Sequence, residues 1–406
     1  MITSFFHSTP AHNCRLLLTM GLLMTLPSGP RLEAAGIVTH RSKNFILHTD
    51  DGPDRAKKLL EQLERMLGIV STYWRRPNRH VIECCVVKDL ENWPGGKLPP
   101  LALKKIRSGS GVTITVKRMQ GNAFFAKSIV YAVADTATTQ HEAVHAYCHQ
   151  MFGSSGPVWY SEGMAEMGRY WANDGDRSVQ ADRGPIRYLR SIKPPPLKTL
   201  TRTGETSDGW QQYAQRWALC HLLANNPNYG QRFRTLGFSL LGQRPGASYL
   251  AFFGTMNREI EFEYKVFLRN LENGYRVDLC HWDWKSRFRR HREGRAVKVK
   301  IEAGRGWQAS RIAVQAGRSY KVTATGQWQT EADAEPVDAD GDGQGVGRLQ
   351  AVIWSDYQLT RTVELGTEAT FKPARDGKLF FRCGDAWGRL HDNTGRITAS
   401  VKLEPR

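Results

Sequence analysis

The segment His141-Glu142-Ala143-Val144-His145 constrains this chain more than any other. Histidines four residues apart lie one turn apart on a single helix face, so the segment reads as helix with both imidazoles aimed at one point. Two such nitrogens suit a zinc ion, with bonds of about 2.0–2.1 Å. Glu142, between them, can lean over an open coordination position and take a proton from bound water. A catalytic zinc site has three protein ligands and one free position. Glu162, in Trp159-Tyr160-Ser161-Glu162-Gly163-Met164-Ala165-Glu166, offers the third from a second helix. The chain must then set two helices side by side. A metal-free histidine pair, satisfied by its neighbours, is the competing reading. Local context favours the metal. Thr136 to Gln140 offers N-caps, Ala146, Tyr147 and Met151 continue a partly apolar helix, and Gly153 ends it. Pro157 precedes a second helical pattern from Trp159 to Trp171. Cys148, near the same face as His141, reads as core packing rather than as a fourth ligand.

With 406 residues, of which 40% are hydrophobic, the chain is long enough for two or three cored domains and too apolar for disorder. Arg15 precedes an apolar run from Leu16 to Leu26, about half of what crosses a bilayer. Pro27, Ser28, Gly29 and then Ala34-Ala35 follow, so residues 1–35 read as a secretory signal peptide cleaved near the alanines. An uncleaved anchor is the alternative. No other stretch is apolar enough to span a membrane, and the expected location is secreted or periplasmic, at the cell envelope. Cys14 leaves with the signal. Cys84, Cys85, Cys148, Cys220, Cys280 and Cys383 remain, an even number that permits disulfides without choosing a pairing.

A net charge of +18 favours anionic surroundings such as acidic polysaccharide, phospholipid headgroups, nucleic acid or acidic protein. The densest run lies between His281 and Arg292, where Trp282, Trp284 and Phe288 alternate with arginines. Such interleaving can stack single-stranded bases. A solvated linker whose aromatics pack on a neighbour is the preferred reading, and nucleic acid is not expected as a partner. A glycine-rich phosphate loop and a GxSxG elbow are both absent from the sequence.

The fold class expected is α+β. Residues 36–120 read as an α/β subdomain, with strands at Asn44–Thr49, Val81–Val87 and Val112–Val116. A helix from Arg55 to Trp74 carries Leu59, Leu60, Leu63, Met66, Leu67 and Val70 at helical spacing. Residues 121–280 read as mostly helical and hold the metal motif; 281–295 form the basic linker. From residue 296 to 406 the texture changes to short alternating segments between glycine turns, as in Ala296–Ile301, Ser310–Val314, Ser319–Ala324, Ala351–Trp354, Leu379–Arg382 and Ile397–Val401. That spacing predicts an all-β sandwich.

Together, the HExxH, the downstream Trp-Tyr-Ser-Glu-Gly-Met-Ala-Glu and Tyr213-Ala-Gln-Arg-Trp217 resemble gluzincin metallopeptidases, in particular the peptidase MA-like group of exported bacterial proteins, over residues 40–275. The resemblance implies a zincin-like domain, His141, His145 and Glu162 as zinc ligands, and Glu142 as general base. It also implies that Glu166 supports a ligating histidine by accepting its hydrogen bond. An alternative exchanges Glu162 and Glu166. The implied reaction is peptide-bond hydrolysis on a protein or peptide substrate. Tyr213 and His221 are the candidates for stabilising the oxyanion. Two rivals stand beside it: a catalytically silent zincin scaffold in a carbohydrate-binding or envelope-anchoring protein, and a zinc hydrolase of non-peptide amides.

The C-terminal segment Asp385-Ala-Trp-Gly-Arg389-Leu-His-Asp392-Asn393-Thr394-Gly395 resembles calcium-dependent, galactose-binding bacterial lectins. That resemblance implies Ca²⁺ held by Asp385, Asp392, Asn393 and the Arg389 carbonyl, with carbohydrate as the partner; Asp392 departs from the family's usual Asn. Asp338-Ala-Asp340-Gly-Asp342-Gly343 looks like a calcium loop but has Leu349 where a bidentate Glu belongs, so it reads as a turn.

Overall fold

A computed structural model describes residues 36–120, 123–171, 177–202, 204 and 209–405. The proposed signal peptide and Cys14 lie outside the described residues. The described chain forms two compact units, residues 36–161 with 204 and 209 in the first and 162–202 with 210–405 in the second.

In the first unit the strands are β1 (Val38–Arg41) and β2 (Phe45–Thr49), then, after helix α1 (Pro53–Tyr73), β3 (Ile82–Val87). Helix α2 (Pro100–Arg107) leads to the hairpin β4 (Gly111–Gln120) and β5 (Ala123–Val133), and helix α3 (Thr136–Phe152) follows. The sheet order is β1-β2-β3-β5-β4, with β2, β3 and β5 parallel and both outer strands antiparallel to their neighbours. The α1 positions expected to be apolar are all buried. The strand β5 went unread because its interior place, between parallel β3 and antiparallel β4, favours a near-continuous apolar run that periodicity cannot tell from a buried helix. The boundary read at residue 120 therefore falls at the β4–β5 hairpin, and the histidine helix belongs to the unit built on the sheet.

Helix α4 (Val158–Arg169) begins in the first unit and continues into the second. There it is followed by α5 (Arg183–Ser191), α6 (Leu197–Leu200), α7 (Trp210–Asn225), α8 (Gly230–Leu241), α9 (Tyr249–Phe253), α10 (Asn257–Arg269) and α11 (Val277–Cys280). The β-sandwich comes next. One of its sheets contains β6 (Arg289–Arg290), β8 (Gln308–Val314), β10 (Arg348–Ser355), β11 (Gln358–Leu359), β12 (Val363–Glu364) and β14 (Gly377–Gly384). The other contains β7 (Ala296–Glu302), β9 (Tyr320–Gln329), β13 (Glu368–Phe371) and β15 (Thr394–Leu403). Strand alternation decides the inside: Ile397, Ala399, Val401 and Leu403 of β15 are buried while Lys402 is exposed. They meet Leu349, Ile353, Leu379 and Phe381 of the facing sheet in one core.

The segment read as a basic linker packs its aromatics on neighbours and also joins a sheet. Trp282, Trp284 and Phe288 pack with Phe262 and Phe380, and Arg289 and Arg290 pair with β8. Glu263 anchors this packing from α10. Its buried carboxylate accepts from Tyr229 Oη at 2.6 Å, Trp284 Nε1 at 2.7 Å, Asn226 Nδ2 at 2.7 Å and Trp282 N at 3.0 Å.

Candidate metal centre

Local chemistry places α3. Asp135 is its N-cap, the carboxylate accepting from Thr138 N at 2.8 Å and Thr138 Oγ1 at 2.7 Å, so the expected threonine caps lie inside the first turn instead. The helix stops at Gly153, whose φ of 77° lies in the left-handed region that glycine enters at little cost. Between these ends α3 packs on β5 and β4.

His141 and His145 stand on one face of α3 with Nε2 atoms 3.2 Å apart and ring centroids 4.9 Å apart. Two nitrogens bonded to one tetrahedral zinc at about 2.0–2.1 Å would sit roughly 3.3 Å apart, so the spacing fits. Glu162 brings a carboxylate oxygen to the pair, and the three ligand atoms lie within 4.8 Å of one another. This His-His-Glu group can hold a metal ion, and the donor set of two imidazoles and one carboxylate suits zinc. Glu166 is not in the group. It is buried on the next turn, 3.9 Å from Arg169 Nε, and it helps hold the Tyr170 phenol well above its usual range, after burial itself.

The first turn of α4 is tied to the sheet-bearing unit. Trp74 Nε1 donates to Tyr160 Oη at 3.2 Å, and Trp74 stacks on Tyr147 of α3. Ser161 Oγ lies 3.2 Å from His145 Nδ1. A proton on Nδ1 donated to that hydroxyl leaves Nε2 as a lone pair facing His141. Sequence reasoning passed over Ser161, although its place beside the ligand Glu162 was the available signal.

Glu142 is buried on the side of α3 that meets β4. Thr113 Oγ1 lies 2.8 Å from Glu142 Oε2 and 2.7 Å from its main-chain oxygen. Gly111 allows this closeness, since a Cβ there would fall 2.8 Å from Glu142 Cγ. Thr113 was legible only as one more residue of an alternating strand.

Tyr213 stands on the first turns of α7, its ring centroid 6.0 Å from the Arg216 guanidinium. His221, the other oxyanion candidate, stacks on Phe267 with centroids 6.0 Å apart and leans on Trp217 at 5.7 Å, the surroundings of a packing residue. The six described cysteines are unpaired with one another. Burial drives the Cys148 thiol far above its usual range, as core packing requires.

The lectin-like residues share the β14–β15 loop. The Asp385 side chain is wholly buried; Oδ1 accepts from Ala386 N at 2.6 Å while Oδ2 has no partner. Asp392 Oδ1 and both amide atoms of Asn393 are likewise buried without partners. Buried oxygens left unsatisfied on two acids and an amide of one loop fit a hard cation, the donor chemistry of Ca²⁺. Arg382 braces the loop, stacked 3.9 Å from the Trp387 ring and donating to the Asp385 carbonyl. The second acidic cluster is a turn: Asp340 Oδ1 accepts from Thr367 N at 2.9 Å, and Asp342 Oδ1 accepts from Gln344 N and Val346 N.

No family profile and no curated protein matches the chain. Among solved structures, one described as "EclA N-terminal domain; PllA-like lectin" aligns at 17% identity with a TM-score of 0.22, over 26% of this chain and 95% of that one. Among the described residues, no helix is long and apolar enough to cross a membrane.

Proposed function

We propose that this chain is an exported zinc-dependent metallopeptidase of the gluzincin type, with an appended carbohydrate-binding domain. One observation carries the first half: His141 and His145 of α3 and Glu162 of α4 present three ligand atoms within 4.8 Å of one another, and the buried Glu142 lies between the two histidines in sequence. A bound zinc would polarise a carbonyl and acidify water. Glu142 Oε2 takes the proton of the attacking water and returns it to the leaving amine. The Thr113 hydroxyl fixes the rotamer of that carboxylate. The edge position of β4 favours a peptide over another amide, because an extended chain can pair with an outer strand's free main-chain groups. Tyr213 is the proposed oxyanion donor.

The test is metal analysis of the purified protein combined with Glu142→Gln. The reading expects about one zinc per chain in both proteins, with casein hydrolysis falling by at least about two orders of magnitude in the variant. Undiminished hydrolysis rejects Glu142 as the base. Metal-free protein supports the hydrogen-bonded histidine pair, and zinc without hydrolysis supports the silent scaffold.

A specific observation favours the second half. The buried, unpartnered oxygens of Asp385, Asp392 and Asn393 are what a calcium-assisted sugar site would use. Calorimetric titration with galactosides, with and without calcium, tests it; heat that is independent of both calcium and Asp385 counts against it.

A further inference from the structure

Strands β6 and β8 of one sheet, the start of β7 in the other and the segment from Asp283 to Arg295 wall an open groove of about 1200 Å³. Six arginines (Arg287, Arg289, Arg290, Arg292, Arg295 and Arg311) and two lysines line it, against the single carboxylate of Asp283. That carboxylate is engaged in its own turn, accepting from Ser286 Oγ at 2.7 Å, Ser286 N at 2.9 Å and Lys285 N at 3.0 Å. Among the described residues none of the eight cations forms an ion pair, while nearby Glu293 pairs with Arg318 instead. Clustering like charges around one concavity raises the local potential and costs the fold through repulsion.

The groove is built, not merely a solvated strand. Strand β8 breaks register with β14 between Lys378 and Phe380, and Arg311 sits in that irregularity with φ of 64°. A left-handed conformation is unfavourable for arginine, and bulges of this kind re-aim a side chain. His291 ties the wall to the sandwich, its Nε2 2.8 Å from the Val401 carbonyl oxygen and its Nδ1 3.0 Å from that of Arg292.

We infer that this groove binds a linear acidic polysaccharide through the carboxylate or sulfate groups along its chain. Arginine forks can hold two oxygens of a carboxylate, or of a tetrahedral oxyanion such as sulfate, at once. Nucleic acid is disfavoured because the local aromatics, Trp282, Trp284 and Phe288, are packed with Phe262 and Phe380 and none of them lines the groove. A membrane surface is disfavoured because the lining is concave and its larger apolar side chains, Val297 and Ile312, are not exposed.

The full chain is passed over immobilised alginate, heparin and neutral dextran, with single-stranded DNA and anionic phospholipid vesicles as competitors. Retention on alginate and heparin but not dextran is expected. Arg289→Ser/Arg290→Ser/Arg311→Ser should weaken binding at least ten-fold with an unchanged circular dichroism spectrum. A matched removal of charge in the other unit, Lys57→Ser/Lys104→Ser/Arg107→Ser, should leave binding intact. If the triple variant does not fold, Arg287→Gln on the exposed approach to β6 must weaken binding in the same direction. Equal loss in both sets reduces the effect to net charge and overturns the site. Undiminished binding in the groove variants overturns it too. DNA or vesicles that bind more tightly than the glycans, through the same arginines, replace the proposed ligand.

Discussion

Ser161 shows how much of a metal centre depends on residues that do not touch the metal. Its hydroxyl sits 3.2 Å from His145 Nδ1, on the far side of the ring from the Nε2 that faces His141. Removing it frees the ring to rotate and to move its proton to the ligating nitrogen. Ser161→Ala should lower zinc affinity about ten-fold, the lower end of what partners of ligating histidines contribute. Competition with a chromophoric chelator measures this, and an unchanged affinity would show that Ser161 is only a packing neighbour. Thr113 acts in the same way on Glu142, from strand β4.

Helix α4 carries Glu162, and Gly163 decides how close α7 can come to it. A Cβ at Gly163 would meet Cys220 Sγ and lie 2.8 Å from the Arg216 carbonyl oxygen. Gly163→Ala should therefore destabilise the protein by about 1–3 kcal/mol, the usual cost of overpacking, despite the better helix propensity of alanine. Urea denaturation gives the number, and a stabilised variant would refute the close crossing. In the sheet, Glu83 of β3 faces His48 on β2 and Lys127 on β5. His48 Nε2 lies 3.4 Å from Oε1 and Lys127 Nζ 2.9 Å from Oε2. The hydrogen bond from His48, followed by that from Lys127, holds the Glu83 carboxyl down to about 2 although burial opposes it. A depressed carboxylate contributes stability above its unfolded pKa that is lost as the pH falls toward the folded one. Glu83→Gln should flatten the acid-side loss of stability between about pH 4.5 and 2. Because the side chain is about a quarter exposed, partial screening limits the effect to roughly 1 kcal/mol. Identical pH profiles for the two proteins would dismiss the cross-strand cluster.

For the molecule as a whole, the two proposed metal chemistries use different donors and can be read separately. Calcium at 100 times its dissociation constant adds about 2.7 kcal/mol to whatever unit binds it. The unit that holds the sandwich has more than two hundred residues and should then melt several degrees higher. Differential scanning calorimetry should show that rise in the native chain and lose it in Asp385→Asn/Asp392→Asn. A midpoint indifferent to calcium would leave those buried oxygens to ordered water. Phenanthroline, which takes zinc and spares calcium, should stop hydrolysis without moving that transition.

The HExxH helix, the partner helix with Glu162, the α1 core positions and the alternating strands of the sandwich could all be read from the linear order of residues. Each rests on a local period, 3.6 for a helix face and 2 for a strand, or on a short motif whose spacing already implies geometry. Strand β5, the engagement of residues 282–290 with α10 and the sandwich, and the closeness of Gly163 to α7 could not. In these, the partner lies far along the chain, and long-range packing leaves no period in the residues that make it. The same holds for the support of the site. His141, His145 and Glu142 announce themselves by spacing, whereas Thr113, Ser161 and Gly111 acquire meaning only once strand β4 and the first turn of α4 are folded against α3.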